Sequence, residues 1–137
     1  MTYREAINLG EKVLNMADVA DAKIDAWLLL EMVCKIDRSF YYLHMEDEVA
    51  EEQLSEYEIA LRKRAEHVPL QYIVGEAEFM GLKFKVNSNV LIPRQDTETL
   101  VEEALKVVKP GMKVLDLCTG SGCIIVSIVH NVPEVEG

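Results

Sequence analysis

Lys113-Val114-Leu115-Asp116-Leu117-Cys118-Thr119-Gly120-Ser121-Gly122, followed by Cys123-Ile124-Ile125-Val126-Ser127-Ile128-Val129, is the stretch on which the reading of the fold turns. Lys113–Leu117 is a short apolar run of strand length, and 118–122 is a turn of small residues. The seven residues from Cys123 read as a buried helix. Strand, glycine loop and helix in that order open a doubly wound α/β domain. Such a sheet needs parallel neighbours, and none follows within the sequence, which ends at Gly137. With both edges of the strand at 114–117 open, residues beyond about 110 are expected to be mobile, displaced, or paired with another molecule, the strand offering a route to self-association.

The same stretch carries the most chemistry. Gly120 and Gly122 let the main chain approach a ligand without a Cβ in the way, and a helix starting near Gly122 aims free N–H groups at the same place. A dinucleotide-binding domain uses that arrangement for pyrophosphate. Here the third glycine of G-x-G-x-x-G is missing, and Asp116 stands at the end of the strand. A carboxylate there repels pyrophosphate and suits an ammonium group, such as the amino end of S-adenosylmethionine. A nucleotide-dependent oxidoreductase therefore fits less well than a methyl-donor site. The residues also suit a plain turn with Asp116 capping the next helix, and that reading stays open.

Working outward, Lys109-Pro110-Gly111 stops a helix in which Leu100, Val101, Ala104, Leu105 and Val108 form one stripe, capped by Asp96 or Thr97. Upstream, Glu76 to Pro93 alternates: Ala77 and Phe79, then Leu82, Phe84 and Val86, with Met80-Gly81 as the turn of a hairpin. Leu70–Ile73 makes one helical turn closed by Gly75. Residues 1–68 read as all-helical, beginning with capping-box spacing at Thr2 and Glu5. Tyr3, Ala6, Ile7, Leu14 and Ala17 share a face of that first helix. A central helix from Asp21 to about Cys34, apolar on most sides, comes next. A short one follows near Ser39–Leu43, capped by Asp37 or Ser39. The last runs from about Val49 to Glu66, with Glu58 and Arg62 spaced for an ion pair. The expected class is α+β: a helical bundle over 1–74, a β-hairpin linker over 75–93, and over 94–137 the start of a Rossmann-like domain.

The net charge of −10 speaks against direct nucleic-acid binding, which needs a basic face. Seven of the thirteen residues from Glu46 to Glu58 are acidic. A solvated loop and helix start explains them more simply than a docking surface for a basic protein. No run approaches the eighteen apolar residues of a membrane span, and the charged N-terminus is not a secretory signal. Cys34, Cys118 and Cys123 lack metal-ligand spacing, as do the scattered His44, His67 and His130. Reduced thiols in a cytoplasmic protein without a metal site are expected. Trp27 belongs to the core, and Tyr41-Tyr42 packs with one ring left for a partner.

Two further stretches add a resemblance. Pro69-Leu70-Gln71-Tyr72-Ile73-Val74-Gly75-Glu76-Ala77-Glu78-Phe79-Met80-Gly81-Leu82-Lys83-Phe84 resembles the linker of the HemK/PrmC family, and Val90-Leu91-Ile92-Pro93-Arg94-Gln95-Asp96-Thr97-Glu98 is similar to that family's Ile-Pro-Arg-Pro-(Asp/Glu)-Thr-Glu signature. Members transfer a methyl group from S-adenosylmethionine to the side-chain amide of glutamine in peptide-chain release factors. The resemblance implies that Asp116, Cys118, Thr119, Gly120, Ser121 and Gly122 contact the donor, and that Arg94 and Thr97 support the floor of the site. Against that support role, Thr97 also fits a helix cap, and Arg94 an ion-pair partner of Asp96 or Glu98. It also implies that residues 1–74 recognise the release factor, with or without catalysis by the chain itself. Gln95 replaces the family's second proline. Cys118 replaces a common glycine, which is harmless at negative φ and costs roughly 1 kcal/mol or more at positive φ. The family's Asn-Pro-Pro-Tyr motif and its second-strand acid do not occur in these 137 residues. No catalytic residue is assigned, and the chain alone is expected to be inactive.

Overall fold

The computed structural model describes residues 1–137. The chain divides into two compact units, Met1–Val74 and Gly75–Gly137.

The first unit is built from five helices: α1 (Tyr3–Met16), α2 (Ala22–Cys34), α3 (Arg38–His44), α4 (Glu51–Ala65) and the single turn α5 (Leu70–Val74). The capping box at the start of α1 is present in both directions. The Glu5 amide donates to Thr2 Oγ1 (3.2 Å), and the Thr2 amide donates to Glu5 Oε2 (2.9 Å). Two more donors of that first turn are satisfied from the loop after α3, Tyr3 N to Asp47 O (3.1 Å) and Arg4 N to Met45 O (3.0 Å). These bonds leave few orphan amides at the helix start. α2 is the central helix, buried at Ala22, Ala26, Trp27, Leu29, Leu30 and Cys34. Leu14, Tyr57, Ala60 and Leu61 from α1 and α4 close around it. The Tyr57 hydroxyl, inside this cluster, donates to Ala26 O (3.1 Å). Asp25 is the charged residue of the buried set, and Arg64 Nε meets its Oδ2 at 2.6 Å. α3 is capped by Asp37, whose Oδ1 accepts from Phe40 N (2.7 Å). Glu58 and Arg62 form no ion pair, although their spacing allows one.

The second unit begins with an antiparallel hairpin of β1 (Glu76–Phe79) and β2 (Leu82–Lys85), in register Ala77↔Phe84 and Phe79↔Leu82. Its turn residues Met80 (φ 50°) and Gly81 (φ 72°) are both left-handed, the condition of a type I′ turn whose twist matches the strands. Ala77, Phe79, Phe84 and Val86 are buried, as their alternation predicts. The sheet stops at Lys85, well short of Pro93. Two helices follow, α6 (Asp96–Val107) and α7 (Cys123–Asn131). Val101, Cys123, Ile128 and Val135 join Phe79 and Phe84 in one cluster, with Ala104, Leu105 and Val108 packed on it.

Four expectations are corrected here. Neither Asp96 nor Thr97 caps α6: its N-cap is Gln95, and no side chain bonds there. Leu100 leaves the apolar stripe and faces solvent, because Val101 takes the centre of the contact. α7 buries one face rather than its whole surface, with Val126 and Val129 exposed. Most tellingly, 113–117 forms no strand. One parallel bridge, Lys113↔Glu136, is all that remains of it, and Leu115 and Leu117 are 81% and 77% exposed. A parallel strand is stable when neighbours cover both faces and both edges. Here the edge at Lys113–Val114 is met by residues 134–136 alone, through Val114 N to Glu136 O (2.8 Å) and Glu136 N to Met112 O (3.1 Å).

Candidate functional site

The residues from Asp116 to Gly122 form a turn in which every second backbone is left-handed, at Cys118 (φ 61°), Gly120 (φ 59°) and Gly122 (φ 80°). Glycine meets this at two of the three positions without strain. A Cβ placed on Gly120 would meet nothing nearer than the Cys118 carbonyl at 4.0 Å, so the main chain there faces open space. Cys118 is the exception. It adopts the positive φ at which an L side chain is strained by roughly 1 kcal/mol or more, and its thiol is free and exposed.

Asp116 is half-buried, and one of its oxygens is held in place: Thr119 Oγ1 donates to Oδ2 at 2.8 Å. The turn is closed by Gly122 N to Thr119 O (3.0 Å). Gly122 is the N-cap of α7 and provides no side chain to cap it, so the first-turn amides of that helix remain available to an outside acceptor. The loop thus offers an oriented carboxylate for a cation, free N–H groups for an oxygen acceptor, and bare backbone between them. Asp116 does not cap α7; it bonds within its own turn. Thr119 and Gly120 are exposed, and Ser121 is half-buried. These features suit a ligand that carries both an ammonium and a carboxylate.

Arg94 and Thr97 are not drawn into this loop by any hydrogen bond or ion pair. Arg94 is exposed and pairs with neither Asp96 nor Glu98. Its carbonyl accepts from Thr97 N (3.0 Å) as α6 begins. The carboxylate with a structural task in this segment is Glu98, whose Oε1 accepts from Met80 N (2.7 Å) at the hairpin turn. From the sequence alone Glu98 reads as an ion-pair partner of Arg94. The signal available was a left-handed hairpin turn whose leading amide lacks a strand partner. No three of the His, Cys, Asp and Glu side chains come together in a manner that could hold a metal ion.

Comparison with known proteins gives concordant results. Residues 5–75 match the family model described as the PrmC N-terminal domain. A release factor glutamine methyltransferase of Clostridium acetobutylicum is 43% identical over 138 residues, covering 99% of this chain and 48% of that protein. Proteins of the same description from Moorella thermoacetica and Geobacter sulfurreducens are 38% and 36% identical, over 99% and 98% of this chain. The chain spans about half the length of the curated relatives it matches.

Proposed function

The chain belongs to the PrmC family, whose N-terminal domain spans its residues 5–75, and on that premise we propose that it serves S-adenosylmethionine-dependent methylation of the glutamine side-chain amide in peptide-chain release factors. Residues 1–74 take the part of recognising the protein substrate, 75–93 link, and 94–137 begin the donor-binding domain. The relatives' shared description, release factor glutamine methyltransferase, supports the choice of reaction.

When bound, S-adenosylmethionine supplies an electrophilic methyl group on a sulfonium. The chain's own residues orient the donor. Asp116, steadied by Thr119, would hold the ammonium, and the backbone of Cys118, Thr119, Gly120, Ser121 and Gly122 would line the donor, with no Cβ to intervene at the two glycines. An amide nitrogen is a poor nucleophile, so orientation carries much of the rate. The amide must be held by a group such as the family's Asn-Pro-Pro-Tyr motif. That motif is absent from these 137 residues, and by themselves they are expected to bind the donor weakly or not at all, and not to turn over. A second reading, in which residues 1–74 act as a release-factor-binding module without catalysis, rests on their having a hydrophobic cluster of their own. A pull-down with and without those residues separates the two.

The oriented Asp116 carboxylate is the observation that carries the donor assignment. Titration of the chain with S-adenosylmethionine at millimolar concentration, followed by amide NMR shifts, tests it. Shifts should centre on 116–125, and Asp116→Ala should weaken binding by about tenfold, the scale of one charge-assisted contact. Stronger binding of NAD in the same crevice, undiminished by that substitution, would overturn it.

A further inference from the structure

α3 shares with the single turn α5 the lack of any buried residue, although Phe40, Tyr41, Tyr42 and Leu43 are four of its seven residues. It is nevertheless well fixed. Arg38 lies over the Trp27 ring at 4.9 Å, and Tyr41 meets Trp27 edge-on at 5.4 Å. Phe40 sits against Tyr3 at 6.0 Å and stacks on His44 at 4.3 Å. These contacts commit one side of α3 to the bundle. Tyr42 and Leu43, on the other side, are 61% and 81% exposed. Water is a poor environment for such a side, and contiguous apolar surface held rigidly in solvent marks interaction sites.

The charge next to it says what kind of partner fits. His44 bonds Asp47 (2.7 Å) directly after α3, Glu46 is paired with Arg4, and Glu48 is bridged through its backbone to Thr2. The contacts from Phe40 to Tyr3 and from His44 to Asp47 make this acidic turn continuous with the helix. Glu46, Asp47 and Glu48 are all exposed, and the basic side chains paired with them are Arg4, on Glu46, and the His44 imidazole, on Asp47. The rim is therefore electronegative, and its complement is cationic.

We infer that the outward face of α3, centred on Tyr42 and Leu43 and rimmed by Glu46, Asp47 and Glu48, docks a segment of the protein substrate in which an apolar side chain is flanked by lysine or arginine. The inference rests on the proposed role of residues 1–74 in recognising a release factor, and it assigns that role to one surface. Leu43 enters the partner's apolar contact, the Tyr42 ring offers its face to a guanidinium, and the acidic turn steers the encounter.

The experiment is a binding titration of the 137-residue chain with a purified bacterial peptide-chain release factor at two salt concentrations. Three variants are compared with the wild type: Leu43→Asp, the double charge reversal Glu46→Lys/Glu48→Lys, and Glu66→Lys at the far end of α4 as a control. All four positions are exposed, and circular dichroism checks that each variant keeps its helices. Leu43→Asp and the double reversal should each weaken binding about tenfold or more, Glu66→Lys should leave it within about twofold, and rising salt should weaken the wild type but not the double reversal. Wild-type binding that ignores both α3-side changes overturns the surface and leaves the recognition role standing. Failure of the wild type to bind overturns both. Sedimentation showing that α3 joins two copies of the chain, abolished by Leu43→Asp, also overturns the inference.

Discussion

Gly10 lies in the middle of α1, where glycine is a poor helix former, and the reason is across the bundle. A Cβ at that position would stand 2.0 Å from the Tyr57 hydroxyl and 3.1 Å from the Ala26 Cβ. The residue makes room for the buried hydrogen bond from Tyr57 to Ala26 O. Gly10→Ala gains about 1 kcal/mol of helix propensity, and it loses about 1–3 kcal/mol by overpacking and displacing that hydroxyl. Net destabilisation is expected in urea unfolding, and Tyr57→Phe should relieve part of it. The same neighbourhood sets an alkaline limit. Burial raises Tyr57 above the ordinary phenol range, with the Cys34 thiol adding to it, and burial followed by the Glu56 charge raises Cys34. Tyr3 is raised as well, first by burial and then by Cys34 and Asp47. All three are neutral in the fold and ionise more readily when unfolded, so their contribution is complete at low pH and is lost as pH rises. Melting temperature should hold steady up to about pH 9 and fall beyond it. In Cys34→Ala the fall should begin nearer pH 10.

Among the elements, α2 and α4 are joined by the Asp25–Arg64 pair, whose carboxylate is almost fully buried. The guanidinium also donates to Val68 O (3.2 Å), just past the end of α4. Removing one partner strands the other, and Asp25→Ala is expected to cost about 3 kcal/mol. Replacing both with apolar residues should cost less, and a denaturation double-mutant cycle measures the difference. The helices of 1–74 and the hairpin could be read from sequence because their signals are local: the Thr2/Glu5 box, the Asp37 cap, and the alternation about Met80-Gly81 belong to residues within a few positions of one another. The Asp25–Arg64 pair was not legible, since its partners are 39 positions apart and nothing in either helix alone announces it. The strand at 113–117 failed for a related reason. Its apolar pattern describes a place in a sheet, and a place in a sheet exists only with neighbours. Of the proposed donor site, the glycine turn and Asp116 were legible, whereas the Thr119 tether and the strained Cys118 backbone required the structure.

At the scale of the whole molecule, two units each hold a hydrophobic cluster of their own. All fifteen buried residues of the first cluster come from residues 1–74 and none from 75–137, so a polypeptide of residues 1–74 is expected to fold by itself and melt cooperatively. Calorimetry of that polypeptide, with a van't Hoff enthalpy matching the calorimetric one, checks it. No helix is long and apolar enough to cross a membrane. The pairing of 112–114 with 134–136 has a consequence of its own. Each of those amides can serve only one acceptor, so whatever would lay a β-strand along that side of Val114 has first to evict Glu136. Completion of a sheet there is an exchange between rivals for the same row of hydrogen bonds, and the outgoing segment is the stretch that follows α7.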